Sequence, residues 1–193
     1  MRQKPSESLT QLLGSGQTPF MDLLTYVVHE GCDVVGTGVV IIDASGAAHL
    51  APNTPFPDPR NVSRTIPLRY SVFDREWDGV WVTFTGRWGN GCVDVDSVDR
   101  IDRPNFPSET TVRVTNPNGT GWTLAEEVAA TEHSDLHSTD DPIVASGSQR
   151  EDYGSDTLTI DCLYIDRSLA EWLGRTHPGD IEVRSTLAPH RTL

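Results

Sequence analysis

The sequence predicts a β-rich α+β protein, with a small five-stranded barrel in its first half and an acidic α+β region in its second. Three observations carry this. Between Thr65 and Arg103, the strand-forming runs TIPLRYSVF, VWVTFTGRW and CVDVDSVDRIDR are separated by the turn-forming groups DREWDG and GNG. In the second run Val80, Val82, Phe84 and Trp88 alternate with Trp81, Thr83, Thr85 and Arg87, so a pleated strand sends one set inward and the other outward. Ahead of them, Asp33 to Ile42 is a nearly continuous β-branched run whose Gly36 and Gly38 permit the sharp bend that a small closed barrel requires.

The elements follow in order. Residues 5 to 14 predict a short helix ending at Gly14. A second helix is expected from Thr18, a good N-cap followed by Pro19, to Gly31, with Phe20, Leu23, Leu24, Val27 and Val28 on one apolar stripe. These N-terminal helices, residues 1–32, are expected to pack on the barrel. The barrel itself spans 33–103: the bent strand from Asp33, a short strand at Ala47 to Ala51, a proline-broken loop, and then the three runs above. Gly89, Asn90 and Gly91 supply the positive φ angles of a tight hairpin between the last two strands.

A long bent strand, a short strand, a third strand and a closing hairpin resemble the OB-fold, a five-stranded Greek-key barrel. The likeness is most specific over DGVWVTFTGRWGNGCVDVDSVDRI, Asp78 to Ile101, where valine and threonine alternate up to a Thr-Gly pair before a second alternating strand. It covers residues 33–103 and departs from the pattern at one point. Many OB-folds carry a helix between strands three and four, where this chain has only Asp74 to Asp78.

Residues 104–109 read as a linker. The region 110–193 then predicts strands at Thr110 to Thr115, Ile143 to Ser148, Thr157 to Ile165 and Ile181 to Leu187. One helix is expected to start at a capping box of Thr123 and Glu126, and a second at Ser168 and Glu171. The order β-α-β-β-α-β also occurs in ferredoxin-like sandwiches.

Composition narrows the function. The net charge is -13, and the surplus lies mainly in the second half: residues 1–104 hold 9 Lys or Arg against 13 Asp or Glu, residues 105–193 hold 6 against 15. Such a surface repels phosphate backbones and favours basic partners, metal ions or simple solubility, the last being the common case for acidic proteins. Cys32, Cys92 and Cys162 are odd in number and widely spaced, which argues against a disulfide framework and a four-cysteine zinc site. No run approaches the ~20 apolar residues of a membrane-spanning helix, and Met1 to Leu13 does not read as a secretion signal, so a cytoplasmic location without membrane contact is expected. There is no G-x-S-x-G elbow, no phosphate-cradling glycine loop, and no calcium-loop spacing around Asp94, Asp96 and Asp99.

Two places can carry chemistry. The OB resemblance implies a ligand face on strands two and three, with Arg60, Arg64, Arg69, Tyr70 and Trp81 on it and Arg75 and Arg87 at its edges. Arginines track phosphates and aromatic rings stack on bases in single-stranded nucleic acid binding. The second place is Glu132 to Asp141, where His133, Asp135 and His137 alternate as ligands for zinc or a related metal, or else belong to a solvated loop. The functional expectation is a non-enzymatic binding protein with no cofactor, an accessory or neutralising factor for a protein partner of basic character. A single-stranded nucleic-acid-binding module and a metal-dependent hydrolase using His133, Asp135 and His137 are the alternatives.

Overall fold

The computed structural model describes residues 23–52, 65–70, 73–102, 111–116, 118–123, 125–126, 130, 143–148 and 157–190, the segment 143–148 by its backbone. Five strands close a barrel: β1 (Asp33–Ile42), β2 (Ala48–Pro52), β3 (Ile66–Arg69), β4 (Trp81–Gly89) and β5 (Cys92–Arg100). They pair around the ring as β1-β2-β3-β5-β4-β1, every pair antiparallel except β3 with β5. A closed five-stranded ring in this order is consistent with an OB-like barrel.

The bend in β1 makes closure possible. Gly38 to Ile42 pair with β2, while Asp33 to Val39 pair with β4 on the other edge. A Cβ at Gly36 would overlap the Phe84 ring and come within 2.7 Å of Leu187, so the missing side chain is what lets that ring fill the barrel. On β4 the expected alternation holds, with Val82, Phe84 and Trp88 buried and Arg87 exposed. Asn90 (φ 52°) and Gly91 (φ 70°) form the two-residue turn into β5. A bulge opposite Thr85 and Gly86 then adds a residue to β5, which returns Val98 toward the interior after the run Val93-Asp94-Val95-Asp96-Ser97.

Where many OB-folds place a helix, Arg75–Trp77 form a single 3-10 turn capped by Asp74, whose carboxylate accepts from the Glu76 N–H at 2.9 Å. Tyr70, Phe73 and Trp77 stack edge to face at 5.3 and 5.4 Å and pack against the barrel core, with the Arg100 guanidinium 4.5 Å above Trp77.

The second sheet holds β6 (Thr111–Val114), β7 (Ile143–Ser148), β8 (Thr157–Cys162) and β9 (Asp180–Ser185), in the order β6-β9-β8-β7. Helix α1 (Arg167–Leu173) joins β8 to β9, which are adjacent and parallel. This corrects the ferredoxin-like expectation. In a split β-α-β unit another strand lies between the two that the helix joins, whereas here none does. The first helix of the expected order is described at Glu126, where the Thr123 box is present: the Glu126 carboxylate accepts from the Thr123 N–H at 2.9 Å, and the Thr123 hydroxyl accepts from the Glu126 N–H at 3.3 Å.

The helix expected to run to Gly31 is also corrected. Residues 1–22, with the first helix and the start of the second, lie outside the described residues. Leu24–Tyr26 form one 3-10 turn, and Val27 is already extended at ψ 123°. Val27 bridges Ile165, and the Val28 N–H donates to the Ile165 carbonyl at 2.9 Å. A β-strand neighbour therefore outweighs the helical periodicity of two β-branched residues. Leu23 packs in the core of the second sheet and Val28 in that of the barrel, so the apolar stripe is divided between them.

The chain finally crosses back. After β9, Thr186 donates its N–H to the Cys162 carbonyl, and β10 (Leu187–Pro189) pairs with Val34 to Gly36 of β1, along the edge that β2 leaves open. Leu163, Leu187 and Trp88 are buried together at this junction, where Trp88 lies 4.9 Å from Tyr164.

Candidate functional site

Strand register decides where the expected arginines stand. Asp33 faces Arg87 across β1 and β4, Arg87 faces Asp94 across β4 and β5, and Asp94 faces Arg69 across β5 and β3. The result is a belt of alternating charge around one end of the barrel. Arg87 bonds Asp33 at 3.1 Å, and Arg69 lies 3.7 Å from Asp94. Each pair is exposed, so its contribution to stability is small; its effect is to set a carboxylate beside each arginine.

The remaining members of the set do not join this belt. Tyr70 belongs to the aromatic cluster that packs against the barrel core. Trp81 begins β4, six residues and about 20 Å of strand away from Arg87. Arg75 is exposed in the 3-10 turn. Arg60 and Arg64, like His133, Asp135 and His137, lie outside the described residues.

OB-folds bind oligonucleotides on strands two and three and through the loops after the first and fourth strands. On β2 and β3 the positions directed away from the core are His49, Pro67 and Arg69, none of them a Phe, Tyr or Trp. The loop after β1 is tied to Asp43, which accepts from Ser45 and from the Ala47 N–H; these bonds hold its carboxyl down at about 2. The turn after β4 is two residues long, and its Asn90 N–H donates to Glu30 at 2.9 Å. Both loops are short and each is fastened by a carboxylate.

A further polar group, which the sequence did not announce, lies on the second sheet. Val112, Val114, Leu158, Ile160, Cys162, Ile181 and Val183 form its apolar face under α1. Alternation sends Thr111, Arg113, Thr159, Asp161, Glu182 and Arg184 to the other face. Glu182, 7% exposed, accepts from Arg113 at 2.9 Å and from Arg184 at 2.8 Å. Burial alone would raise its carboxyl, but the bonds and charges of Arg184 and Arg113 outweigh this and hold it below the usual range. Asp161, 8% exposed, is the opposite case: its Oδ1 has no hydrogen-bond partner, and burial pushes its carboxyl up to about 6 against the pull of Arg184. Three strands with a polar residue at every second position were the available signal. In Thr157 to Cys162 it was masked by reading the run for its apolar members.

No family model, curated protein or solved structure matches the chain. The likeness to an OB-fold therefore rests on the strand order alone. Among the described residues no group of three His, Cys, Asp or Glu side chains is placed to hold a metal ion, and no helix is long and apolar enough to cross a membrane. Cys92 and Cys162 are buried, and Cys32 is partly buried in the turn after Val28, where its sulfur accepts from the His29 N–H at 3.4 Å.

Proposed function

We propose that this chain is a non-enzymatic binding protein, an accessory or neutralising factor that takes a basic protein partner on its acidic surface. The observation that carries the reading is the belt on the barrel. A cationic track for phosphates needs arginines free of carboxylates, and Arg69 and Arg87 each have one. Beyond the belt, Asp96, Asp99 and Asp102 stand exposed along and just past the end of β5, with Arg100 among them, where they can meet Lys or Arg side chains.

Capture from the native host on the immobilised full chain tests this. A basic protein should be retained at low salt, released as salt rises, and retained less by Asp96→Lys/Asp99→Lys. Retention of no specific protein, or retention unchanged in that variant, would count against the reading. The barrel order favours a second reading, single-stranded nucleic acid binding. Fluorescence anisotropy with labelled single-stranded DNA and RNA at low salt decides it, since absence of binding at roughly 50 µM removes even a weak non-specific mode.

A further inference from the structure

The second sheet contains two carboxylates in neighbouring rows that meet opposite fates. In one row Thr111, Arg184, Asp161 and Ala145 face one another across β6, β9, β8 and β7; in the next, Arg113, Glu182, Thr159 and Gly147 do. Arg184 is directly across from Asp161, but its guanidinium turns along its own strand, donating from Nε to Glu182 at 2.8 Å. Arg113 reaches the same carboxylate from β6. Glu182 thus engages both arginines, Asp161 Oδ1 has no donor, and the Thr111 hydroxyl in the same row is also unpartnered. On its other side Asp161 faces Ala145, and β7 carries no ionisable residue from Ile143 to Ser148. Among the described residues, the charged groups near Asp161 on this face are therefore Arg184 and Glu182 on β9, which oppose each other, with Arg113 beyond them.

We propose that Asp161 is a proton-operated switch in the second sheet: protonated, its carboxyl is tolerated in the closed sheet, and on ionisation it loosens the β7–β8 edge. The physical reason is an asymmetry of costs. A neutral carboxyl whose sealed Oδ1 has no donor loses one acceptor bond, whereas a carboxylate in the same place keeps part of its charge on an oxygen that neither water nor a donor reaches. Bringing water to Oδ1 requires β8 to part from a neighbour. The β9 side is held by six parallel Cα partners and by α1, while the β7 side is the sheet edge and already has a register irregularity between Ile143 and Ala145, next to Asp161. The edge is the side that opens. A carboxyl raised from 3.8 to about 6 in the closed form corresponds to about a hundredfold change in the closed-to-open ratio across that interval.

The sign follows from proton linkage. Between the two values the closed form holds more protons than the open one, so closure is favoured in mild acid and lost as pH rises through about 6. The test compares the full-length chain with Asp161→Asn, which is neutral at every pH. Between pH 4 and 6.5 the variant should gain thermal stability relative to the parent. Amide exchange of β7 and β8, corrected for the intrinsic pH dependence, should speed up in the parent but not in the variant. Should the variant fail to fold, carbon-detected NMR titration of Asp161 in the parent chain decides alone. A carboxyl titrating near 6 supports the switch, and one titrating in the ordinary aspartate range overturns it. Parallel stability curves for parent and variant would overturn it as well.

Discussion

His177 shows how one residue acquires a property that its letter does not carry. It stacks against Trp122 at 5.8 Å and lies 4.4 Å from Trp172, and its Nε2 bonds the Trp172 carbonyl at 2.9 Å. A carbonyl only accepts, so Nε2 carries the proton of the neutral ring. Burial between the two indoles pushes His177 below the ordinary 6.5, against the raising effect of the carbonyl bond. The unfolded chain therefore binds a proton that the folded one resists, and this share of stability is present above about 6.5 and lost as pH falls. His177→Phe keeps an aromatic ring and removes the titration, so its melting temperature should fall less than the parent's between pH 7.5 and 5.5. The slope is opposite to that of Asp161, and the parent's curve is their sum, so each contribution is read from a difference between curves. Neither residue stood out in the chain, because a lone histidine after a helix and an aspartate within a strand look ordinary until the surrounding rings and arginines are in place.

At the scale of elements, helix α1 separates a pattern from the contact that fulfils it. Ser168 and Glu171 have the spacing of a capping box, yet the N-cap is Asp166, whose carboxylate accepts from the Leu169 N–H at 2.7 Å. Glu171 pairs instead with Arg167 one turn back, at 2.9 Å. Asp166→Ala should cost about 1 kcal/mol in urea unfolding, and Ser168→Ala no more than a few tenths; the reverse ranking would contradict this assignment. The Thr123 and Glu126 box, of identical form, does cap its helix start, because no earlier residue offers a better-placed carboxylate. The barrel strands were legible for a different reason: inward Val82, Phe84 and Trp88 must alternate with outward residues in any half-buried strand, whatever its neighbours. The helix expected at Val27 failed because the same two β-branched residues satisfy either period, and Ile165, distant in sequence, made the choice.

For the whole molecule, β10 ties the segment after β9 back to the first strand of the barrel. Leu187 is fully buried in the barrel core, and its strand covers the edge of β1 from Val34 to Gly36. A chain ending at Thr186 should therefore unfold more readily than one ending at His190, by roughly 2–4 kcal/mol for loss of a buried leucine and its strand. It should also self-associate through the opened edge. Thermal melts with light scattering check both; equal stability of the two chains would show that β10 is dispensable. The same contact explains why the organisation of residues 104–193 was hard to foresee. A short strand at the chain end reads like part of β9 until Thr186 diverts it toward Cys162 and the barrel.

The sequence by itself determined the β-rich class, most strand positions, the Asn90-Gly91 turn and the division of β4 into an inner and an outer face. These follow from side-chain period and backbone sterics, which act over a few neighbouring residues. Only the tertiary structure decided that Arg69 and Arg87 lie beside aspartates, that β8 and β9 run side by side, and that Asp161 lacks the arginine which Glu182 holds. Such outcomes depend on register between strands far apart in the chain, and a one-residue change of register would have given every one of those charges a different neighbour.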